Sequence, residues 1–288
     1  HQEVTDVPHE GGQNPFTLDI TDYVKSGDND LTVCVWDPTE DFVNSRGKQS
    51  FKPKGCFYTR VSGIWQTVWM ENVPERHIRG YKVVTDIDKG TVTIDFDLVG
   101  SGAVDVTVGE TAARGRAANV SGAPRAAVTL ALPKGFRLWS PETPHLYTFK
   151  ATFGTDEVKG YFGMRKFEKR KDANGVWRFF LNNRPYYVMA TLDQGWWPDG
   201  LLTPPSDEAM AFDIKHIEVE PLRYYYLCDK MGLLMIQDLP SASSAWPKNL
   251  ANTRGYGLQR LEQKGMMDLL QAIPSIVMWT PYNEGWSQ

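Results

Sequence analysis

The residues best suited to chemistry lie near the end of the chain, where Asn283 and Glu284 follow a short apolar run, Ile276–Trp279. Such a run is typical of a parallel strand that is buried on both faces. A carboxyl group just past the carboxyl end of that strand, among aromatic side chains, is partly desolvated. Desolvation raises its pKa and lets it hold a proton near neutral pH, so Glu284 is a candidate general acid. The same two residues would also serve as the cap and first-turn acid of a following helix.

Three aromatic residues accompany this pair: Trp279, Tyr282 and Trp286. An aromatic ring suits the apolar C–H face of a sugar, while amide and carboxyl groups suit the hydroxyls of that sugar. The carboxyl ends of the strands are also the edge where (β/α) barrels build their active sites. The pattern therefore favours a carbohydrate ligand at this point of the chain.

The composition limits the classes of partner. The chain has 288 residues, long enough for several domains of about 100 to 150 residues each. Hydrophobic residues make up 41% and the formal net charge is −4, which predicts neither disorder nor a nucleic-acid partner. No run approaches the roughly 18 apolar residues of a membrane helix, and the first residues lack a signal-peptide pattern. The compartment stays open.

The elements that must position the candidate residues change type along the chain. Alternating apolar residues predict early strands at Pro15–Ile20, Leu31–Trp36, Cys56–Arg60 and Ile64–Glu71, too few to cover both faces of a sandwich. From Arg76 to Phe167, short strands separated by Gly and Pro predict a complete immunoglobulin-like β-sandwich.

Beyond this region the pattern switches to alternating strands and helices. The predicted elements are a turn at Asn182-Asn183, a helix over Ala209–Ile214 capped by Ser206-Asp207-Glu208, a helix over Leu222–Met231 stopping at Gly232, a strand over Leu233–Ile236, and a helix over Gln259–Ala272. Such alternation predicts a parallel α/β domain.

Several segments, in their order and spacing, resemble glycoside hydrolase family 2, the group of β-galactosidases, β-glucuronidases and β-mannosidases. They are Asn14–Phe16 with Asp19–Asp22, Ser62–Trp69, Leu138–Pro141 with Pro144–Tyr147, Tyr161–Arg165, and Pro274–Val277 with Trp279 and Asn283-Glu284. Leu192–Gly195 and Trp197–Gly200 resemble a β-galactosidase-like branch of this family. Together these segments extend over nearly all of the chain.

The resemblance implies a multidomain β plus α/β fold. Residues 1–75 would form part of a jelly-roll sugar-binding β-sandwich. Residues 76–167 would form an immunoglobulin-like β-sandwich, and residues 168–288 the N-terminal part of a catalytic (β/α)8 TIM barrel.

The resemblance also implies a retaining β-glycosidase that hydrolyses terminal β-linked sugars. Glu284 would be the acid/base: it protonates the leaving oxygen and then activates the water that breaks the glycosyl-enzyme intermediate. Asn283 would bind the 2-hydroxyl of the sugar. The remaining substrate-binding residues implied are His216, Asp238, Trp279 and Asp193.

Each of these residues has a structural alternative. His216 could be a surface histidine beside Glu218, and Asp238 could cap the end of its strand. Trp196 and Trp197 could serve in packing rather than as sugar platforms.

Departures from the family pattern change the expectation for this chain. The family carries its nucleophile glutamate on a later barrel strand, and no residue here takes that place. Because a retaining mechanism needs two carboxyl groups about 5 to 5.5 Å apart, we expect the chain alone to be inactive. The start of the first sandwich is also missing, as are a helix end and a strand between Ile214 and Lys215, together with the arginine expected just before His216. We therefore expect a portion of a longer enzyme, with a noncatalytic carbohydrate-binding or assembly protein as the rival hypothesis.

The expected partner is a carbohydrate substrate, with no nucleic acid and no membrane. The resemblance leaves room for Mg²⁺ or Na⁺ near the acid/base, although no carboxylate cluster in the sequence requires a metal. An incomplete barrel would expose apolar strand edges, which favours association into a homo-oligomer.

Overall fold

A computed structural model describes residues 3–39, 45–111, 113–118, 124–192, 195–214, 222–239 and 253–282. The chain divides into two compact units. The first comprises His1–Trp65, Gln237–Leu269 and Trp279–Gln288, and the second comprises Gln66–Ile236 and Leu270–Met278. The limits of the three domains expected from the sequence stay predictions.

Strands make up most of the regular structure. In chain order they are β1 (Gln49–Ser50), β2 (Tyr58–Thr59), β3 (His77–Asp86), β4 (Thr91–Val99), β5 (Ala103–Val108), β6 (Ala113–Ala118), β7 (Arg125–Ala131), β8 (Trp139–Ser140), β9 (Thr143–Pro144), β10 (Tyr147–Phe153), β11 (Asp156–Phe162), β12 (Phe167–Lys171), β13 (Trp177–Leu181), β14 (Arg184–Pro185), β15 (Met235–Asp238) and β16 (Ile276–Thr280). The helices are α1 (Asp207–Ile214), α2 (Leu222–Met231) and α3 (Thr253–Leu270). Within the described ranges, none of these helices has the length and apolar character needed to cross a membrane.

Seven strands of the second unit form a β-sandwich. One sheet has the order β3-β4-β7 and the other the order β11-β10-β5-β6, with all neighbours antiparallel. In β4 every second residue from Val92 to Leu98 is buried, because side chains alternate between the two faces of a strand. The buried residues of both sheets join in one hydrophobic core. The prediction of a β-sandwich here is confirmed.

The sequence pattern does not predict β6. Its residues, ARGRAA, are small or charged instead of alternately apolar. The structure shows why Gly115 must be small: a Cβ atom there would lie 2.7 Å from Val128, which belongs to the facing sheet. Because the two sheets approach each other closely here, β6 lacks bulky apolar side chains. A strand prediction depends on such side chains, so the pattern misses this strand.

A further antiparallel sheet, β12-β13-β14, follows the sandwich. Asn182 and Asn183 form the turn between β13 and β14, with φ values of 52° and 65°. A two-residue type I′ turn needs positive φ at both positions, which asparagine tolerates better than most residues. The predicted turn is confirmed.

The helix ends follow the predicted signals. The N–H of Ala209 donates to the Ser206 hydroxyl at 3.1 Å, which caps α1. Gly232 follows the last residue of α2; its φ is 82°, and its N–H donates to the Cys228 oxygen at 2.9 Å. Glycine takes this left-handed conformation without the steric cost of a Cβ atom.

Strands β15 and β16 pair with each other, and α3 lies between them in the chain. The N–H of Met235 donates to the Ser275 oxygen at 2.8 Å, and the N–H of Leu239 donates to the Thr280 oxygen at 2.9 Å. Donors and acceptors advance together along the chain, so the two strands are parallel. This agrees with the predicted strand-helix-strand alternation, whereas a closed TIM barrel stays a prediction.

The early strands predicted at Pro15–Ile20, Leu31–Trp36 and Ile64–Glu71 are wrong, because the structure has no strand over these residues. Their apolar side chains are largely exposed, for example Leu31 at 67% and Trp36 at 75%. A strand is stable only when a neighbour completes its hydrogen bonds and a second layer covers its apolar face. Among the described residues of the first unit's N-terminal part, only the two-residue pair β1 and β2 forms. A jelly-roll domain stays a prediction.

Candidate active site

The parallel pair β15 and β16 places two of the predicted site residues at one edge of a sheet. Asp238 is the last residue of β15 and is exposed, and Trp279 in β16 is partly buried. Leu239 follows Asp238 and Thr280 follows Trp279. The Leu239 N–H donates to the Thr280 oxygen at 2.9 Å. Both strands reach this edge at their carboxyl ends, where barrel enzymes collect substrate-binding side chains.

The other predicted site residues, Glu284, Asn283, His216 and Asp193, lie outside the described residues, and their roles stay predictions. For Trp197 the packing alternative fits the structure, because it is 9% exposed. Its main chain also exchanges two hydrogen bonds with Leu201, at 2.7 and 3.1 Å.

Two buried glutamines hold the main chain near the shared edge. Gln237 donates from Nε2 to the oxygen of its neighbour Asp238 at 2.8 Å. Gln263 of α3 donates from Nε2 to the Pro281 oxygen at 2.9 Å. Pro281 precedes Asn283 by two residues, so a side chain of α3 restrains the chain that leads into the predicted acid/base.

Another buried polar residue of α3, Glu262, ties the helix to the N-terminal segment within the first unit. Its Oε1 accepts from the Gly12 N–H at 3.1 Å. Burial raises the pKa of Glu262, because desolvation outweighs the hydrogen bonds that lower this pKa. Gly11 has a φ of 107°, and a Cβ atom there would lie 2.9 Å from the Glu262 side chain, so only glycine fits this approach.

In the second unit, Asp229 of α2 is fully buried and accepts two hydrogen bonds. Its Oδ1 accepts from the Ser275 N–H at 2.7 Å, and its Oδ2 accepts from the Tyr161 hydroxyl at 2.9 Å. Desolvation raises the pKa of Asp229 to about 7, although both hydrogen bonds and the charge of Arg165 oppose the rise. Desolvation, followed by the charge of Asp229, also raises the pKa of Tyr161.

Arg165 contacts the same stretch of main chain as Asp229. Its Nε donates to the Pro274 oxygen at 2.8 Å, and its Nη2 donates to the Ile276 oxygen at 2.6 Å. Burial lowers the pKa of Arg165, but a guanidinium still keeps its proton in a protein. Two segments that carry the family resemblance, Tyr161–Arg165 and Pro274–Val277, are thus hydrogen-bonded to each other.

Sequence reasoning missed Asp229, Arg165 and Gln263 as supports of the site. A signal was present for two of them, because a polar residue on the buried face of a helix needs a partner. In α2 the buried residues are Tyr224, Tyr225, Cys228 and Asp229, and among the α3 side chains that the structure describes the buried polar ones are Gln259, Glu262 and Gln263. Arg165 lies in a loop, where no periodicity reveals burial.

The described residues show no group of three or more His, Cys, Asp or Glu side chains that could hold a metal ion. The structure therefore assigns no residues to the Mg²⁺ or Na⁺ for which the resemblance leaves room.

Comparisons with known proteins agree with this fold and point to one family. Residues 76–165 match the family model described as Glycosyl hydrolases family 2. The β-glucuronidase of Rattus norvegicus is 25% identical over 96% of this chain and 48% of its own length. The β-galactosidase of Thermoanaerobacter pseudethanolicus is 22% identical over 94% of this chain and 38% of its own length.

A solved structure, the GH2 β-galacturonidase of Eisenbergiella tayi bound to galacturonate, shares the fold with a TM-score of 0.59. It is 18% identical, and the match covers 72% of this chain and 40% of that one. The chain thus spans 38 to 48% of the length of these three proteins. The family-model match over the sandwich and the similarity over almost all of the chain agree, and both make the chain similar to glycosyl hydrolases family 2.

Proposed function

We propose that the protein carrying this chain is a retaining β-glycosidase, β-galactosidase-like, that hydrolyses terminal β-linked sugars. The observation that carries the proposal is the similarity over 94 to 96% of the chain to enzymes named β-galactosidase and β-glucuronidase. The parallel pair β15 and β16 supports it, because Asp238 and Trp279 share the edge from which the chain runs on to Asn283 and Glu284.

In this mechanism Glu284 protonates the glycosidic oxygen as the bond to the leaving group breaks, and later takes a proton from the attacking water. Asn283 binds the 2-hydroxyl, an interaction that strengthens as the transition state forms. Trp279 offers an aromatic face to the sugar ring, and Asp238, His216 and Asp193 offer hydrogen bonds to its hydroxyls. A retaining mechanism also needs a nucleophilic carboxylate about 5 to 5.5 Å from the acid/base, and no carboxylate of this chain is assigned to that role.

A β-linked uronic acid is the second candidate substrate. The rat relative is named a β-glucuronidase, and the Eisenbergiella tayi neighbour is named a β-galacturonidase bound to galacturonate. A uronic acid differs from the neutral sugar by a carboxylate, which requires a cationic or hydrogen-bonding partner in the subsite.

The proposal is tested by assaying the full protein that carries this chain against chromogenic β-galactoside, β-glucuronide and β-mannoside. We expect hydrolysis of the β-galactoside, and a fall in its rate of about 10²- to 10⁴-fold in Glu284→Gln, the usual contribution of general acid–base catalysis. Faster cleavage of the β-glucuronide would assign the second candidate substrate instead.

The matched control is Glu75→Gln, which makes the same change at an exposed glutamate. Its rate is expected to equal that of the unaltered protein. Retained sugar binding without hydrolysis of any of the three substrates would contradict the proposal and favour a noncatalytic carbohydrate-binding protein.

A further inference from the structure

Four main-chain polar groups at the start of β16 are held by hydrogen bonds. The Pro274 oxygen accepts from Arg165, and the Ser275 N–H donates to Asp229. The Ser275 oxygen then accepts from the Met235 N–H, and the Ile276 oxygen accepts again from Arg165. Only the Met235 bond belongs to the ladder between β15 and β16.

The other three bonds come from two side chains of opposite charge, Asp229 and Arg165. The carboxylate receives the N–H, and the guanidinium donates to the two oxygens on either side of it. A guanidinium has donors in a rigid fork, so one Arg165 side chain sets the spacing between the Pro274 and Ile276 oxygens. Asp229 sets the direction of the peptide between them.

Stability alone does not account for this arrangement. Removing a carboxylate and a guanidinium from water costs several kcal/mol for each group, and apolar replacements of buried ion pairs are often as stable or more so. What a buried charged pair with directed hydrogen bonds supplies is a defined geometry. Here the geometry is imposed on the first residues of the strand whose other end lies at the candidate active site.

We propose that Asp229, together with Arg165, is a positioning residue for the acid/base segment. By fixing Ser275 it fixes the start of β16, and the continuous strand carries that constraint to Trp279 and on towards Asn283 and Glu284. Asp229 has no exposed surface, so it acts through the strand and not by touching substrate. The effect on catalysis rests on the proposed function. The effect on the structure of β16 rests on the hydrogen bonds alone.

The key variants are Asp229→Asn and Asp229→Ala. The asparagine oxygen can still accept from the Ser275 N–H, and its amide can donate to the Tyr161 hydroxyl, so this variant keeps the geometry without the charge. Alanine removes both acceptors. Arg165→Lys is a milder test, because an ammonium lacks the fork that spans two oxygens. Val106→Ala is the control: Val106 is 1% exposed in the sandwich core, so its truncation destabilises the fold without touching Ser275.

The first readout is hydrogen exchange of the main-chain amides in the full protein. In Asp229→Ala, and to a smaller degree in Arg165→Lys, amides of residues 275–280 are expected to lose protection while those of β4 and β10 keep it. Asp229→Asn is expected to keep protection at both places. Unchanged protection of residues 275–280 in Asp229→Ala would overturn the proposal, whether or not the protein is a glycosidase.

The second readout is the ratio of kcat/KM for two glycosides of one sugar, one with a leaving group that needs protonation and one with an activated leaving group that does not. A displaced acid harms only the first substrate, and a displacement of about 1 Å can cost on the order of 100-fold. We therefore expect the ratio to fall about 10- to 100-fold in Asp229→Ala, to recover in Asp229→Asn, and to stay constant in Val106→Ala. A constant ratio in Asp229→Ala despite lost protection would overturn the catalytic role. Absence of all glycosidase activity in the unaltered protein would instead contradict the proposed function, and the exchange result would still decide the structural part.

Discussion

The indole N–H of Trp139 donates to the main-chain oxygen of Asp229 at 2.8 Å, and the indole is completely buried. Asp229 lies in the last turn of α2, where main-chain oxygens have no partner within the helix. A side chain of the short β8–β9 hairpin therefore caps the helix that carries the proposed positioning residue.

Trp139→Phe tests this cap. Phenylalanine fills most of the volume but has no N–H, so the buried oxygen of Asp229 loses its partner. We expect a loss of roughly 1 to 3 kcal/mol in the free energy of unfolding for the unsatisfied oxygen, measured by denaturant titration. Trp177→Phe is the matched control, because Trp177 is 59% exposed. An equal effect of both substitutions would contradict the importance of the hydrogen bond.

The sandwich was predictable from the sequence because its strands follow a simple rule. Residues such as Val92, Ile94 and Phe96 alternate with polar ones, and alternation is the direct consequence of a strand with one buried face. The same rule was misleading at Leu31–Trp36, where alternation is present but the apolar side chains are largely exposed. A local pattern shows which side chains a strand could bury. It does not show whether a neighbouring sheet is present to bury them.

The sequence predicted what kind of site to expect, but it did not predict the buried residues that hold the main chain near that site. Asp238 and Trp279 were expected from the family resemblance, and the structure places both near the carboxyl ends of β15 and β16, while their roles stay predictions. The contact between Asp229 and Ser275 joins residues 46 positions apart, and no spacing rule connects them. Such long-range hydrogen bonds follow from the packing of α2 against the start of β16, which only the fold reveals.

The pH dependence of stability provides a test of the buried carboxyl. Burial raises the pKa of Asp229 to about 7 in the folded protein, whereas an aspartate in an unfolded chain has a pKa of about 3.9. The folded state thus binds this proton more tightly than the unfolded state. Its contribution to the free energy of unfolding is fully present below about pH 4 and is lost as the pH rises through about 7. Tyr161 and Arg165 are the titratable groups that face it.

Asp229→Asn removes this titration. Between about pH 4 and 7 the free energy of unfolding of the unaltered protein is expected to fall relative to the variant by up to about 1.4 kcal/mol per pH unit. Denaturant titrations of both proteins at several pH values measure the difference. Asp30→Asn, at an exposed position, serves as the control and is expected to run parallel to the unaltered protein. Parallel curves for Asp229→Asn would contradict the raised pKa.

Two glycines with similar backbone conformations allow two costs of a glycine-to-alanine substitution to be compared. One is the cost of a left-handed backbone conformation, and the other is the cost of a steric collision. Gly232 has a φ of 82° and Gly175 a φ of 78°, but only at Gly232 would a Cβ atom collide, lying 2.3 Å from the Pro141 oxygen. Gly175→Ala is expected to cost about 1 to 2 kcal/mol of unfolding free energy, the price of a left-handed residue with a Cβ atom. Gly232→Ala is expected to cost more, because the main chain at Pro141 must also move. Equal losses in thermal or denaturant unfolding would show that α2 does not pack tightly against this turn.

The assignment of Glu284 as the acid/base is tested most directly by the pH profile of kcat/KM, measured in the full protein with a β-glycoside whose leaving group needs protonation. In the unaltered protein we expect kcat/KM to fall at high pH, because the general acid loses its proton there. In Glu284→Gln the remaining activity is expected to lose this fall, since an amide has no proton to give up over that range. A high-pH fall of the same size and position in Glu284→Gln would show that another group is the acid and would contradict the proposed mechanism.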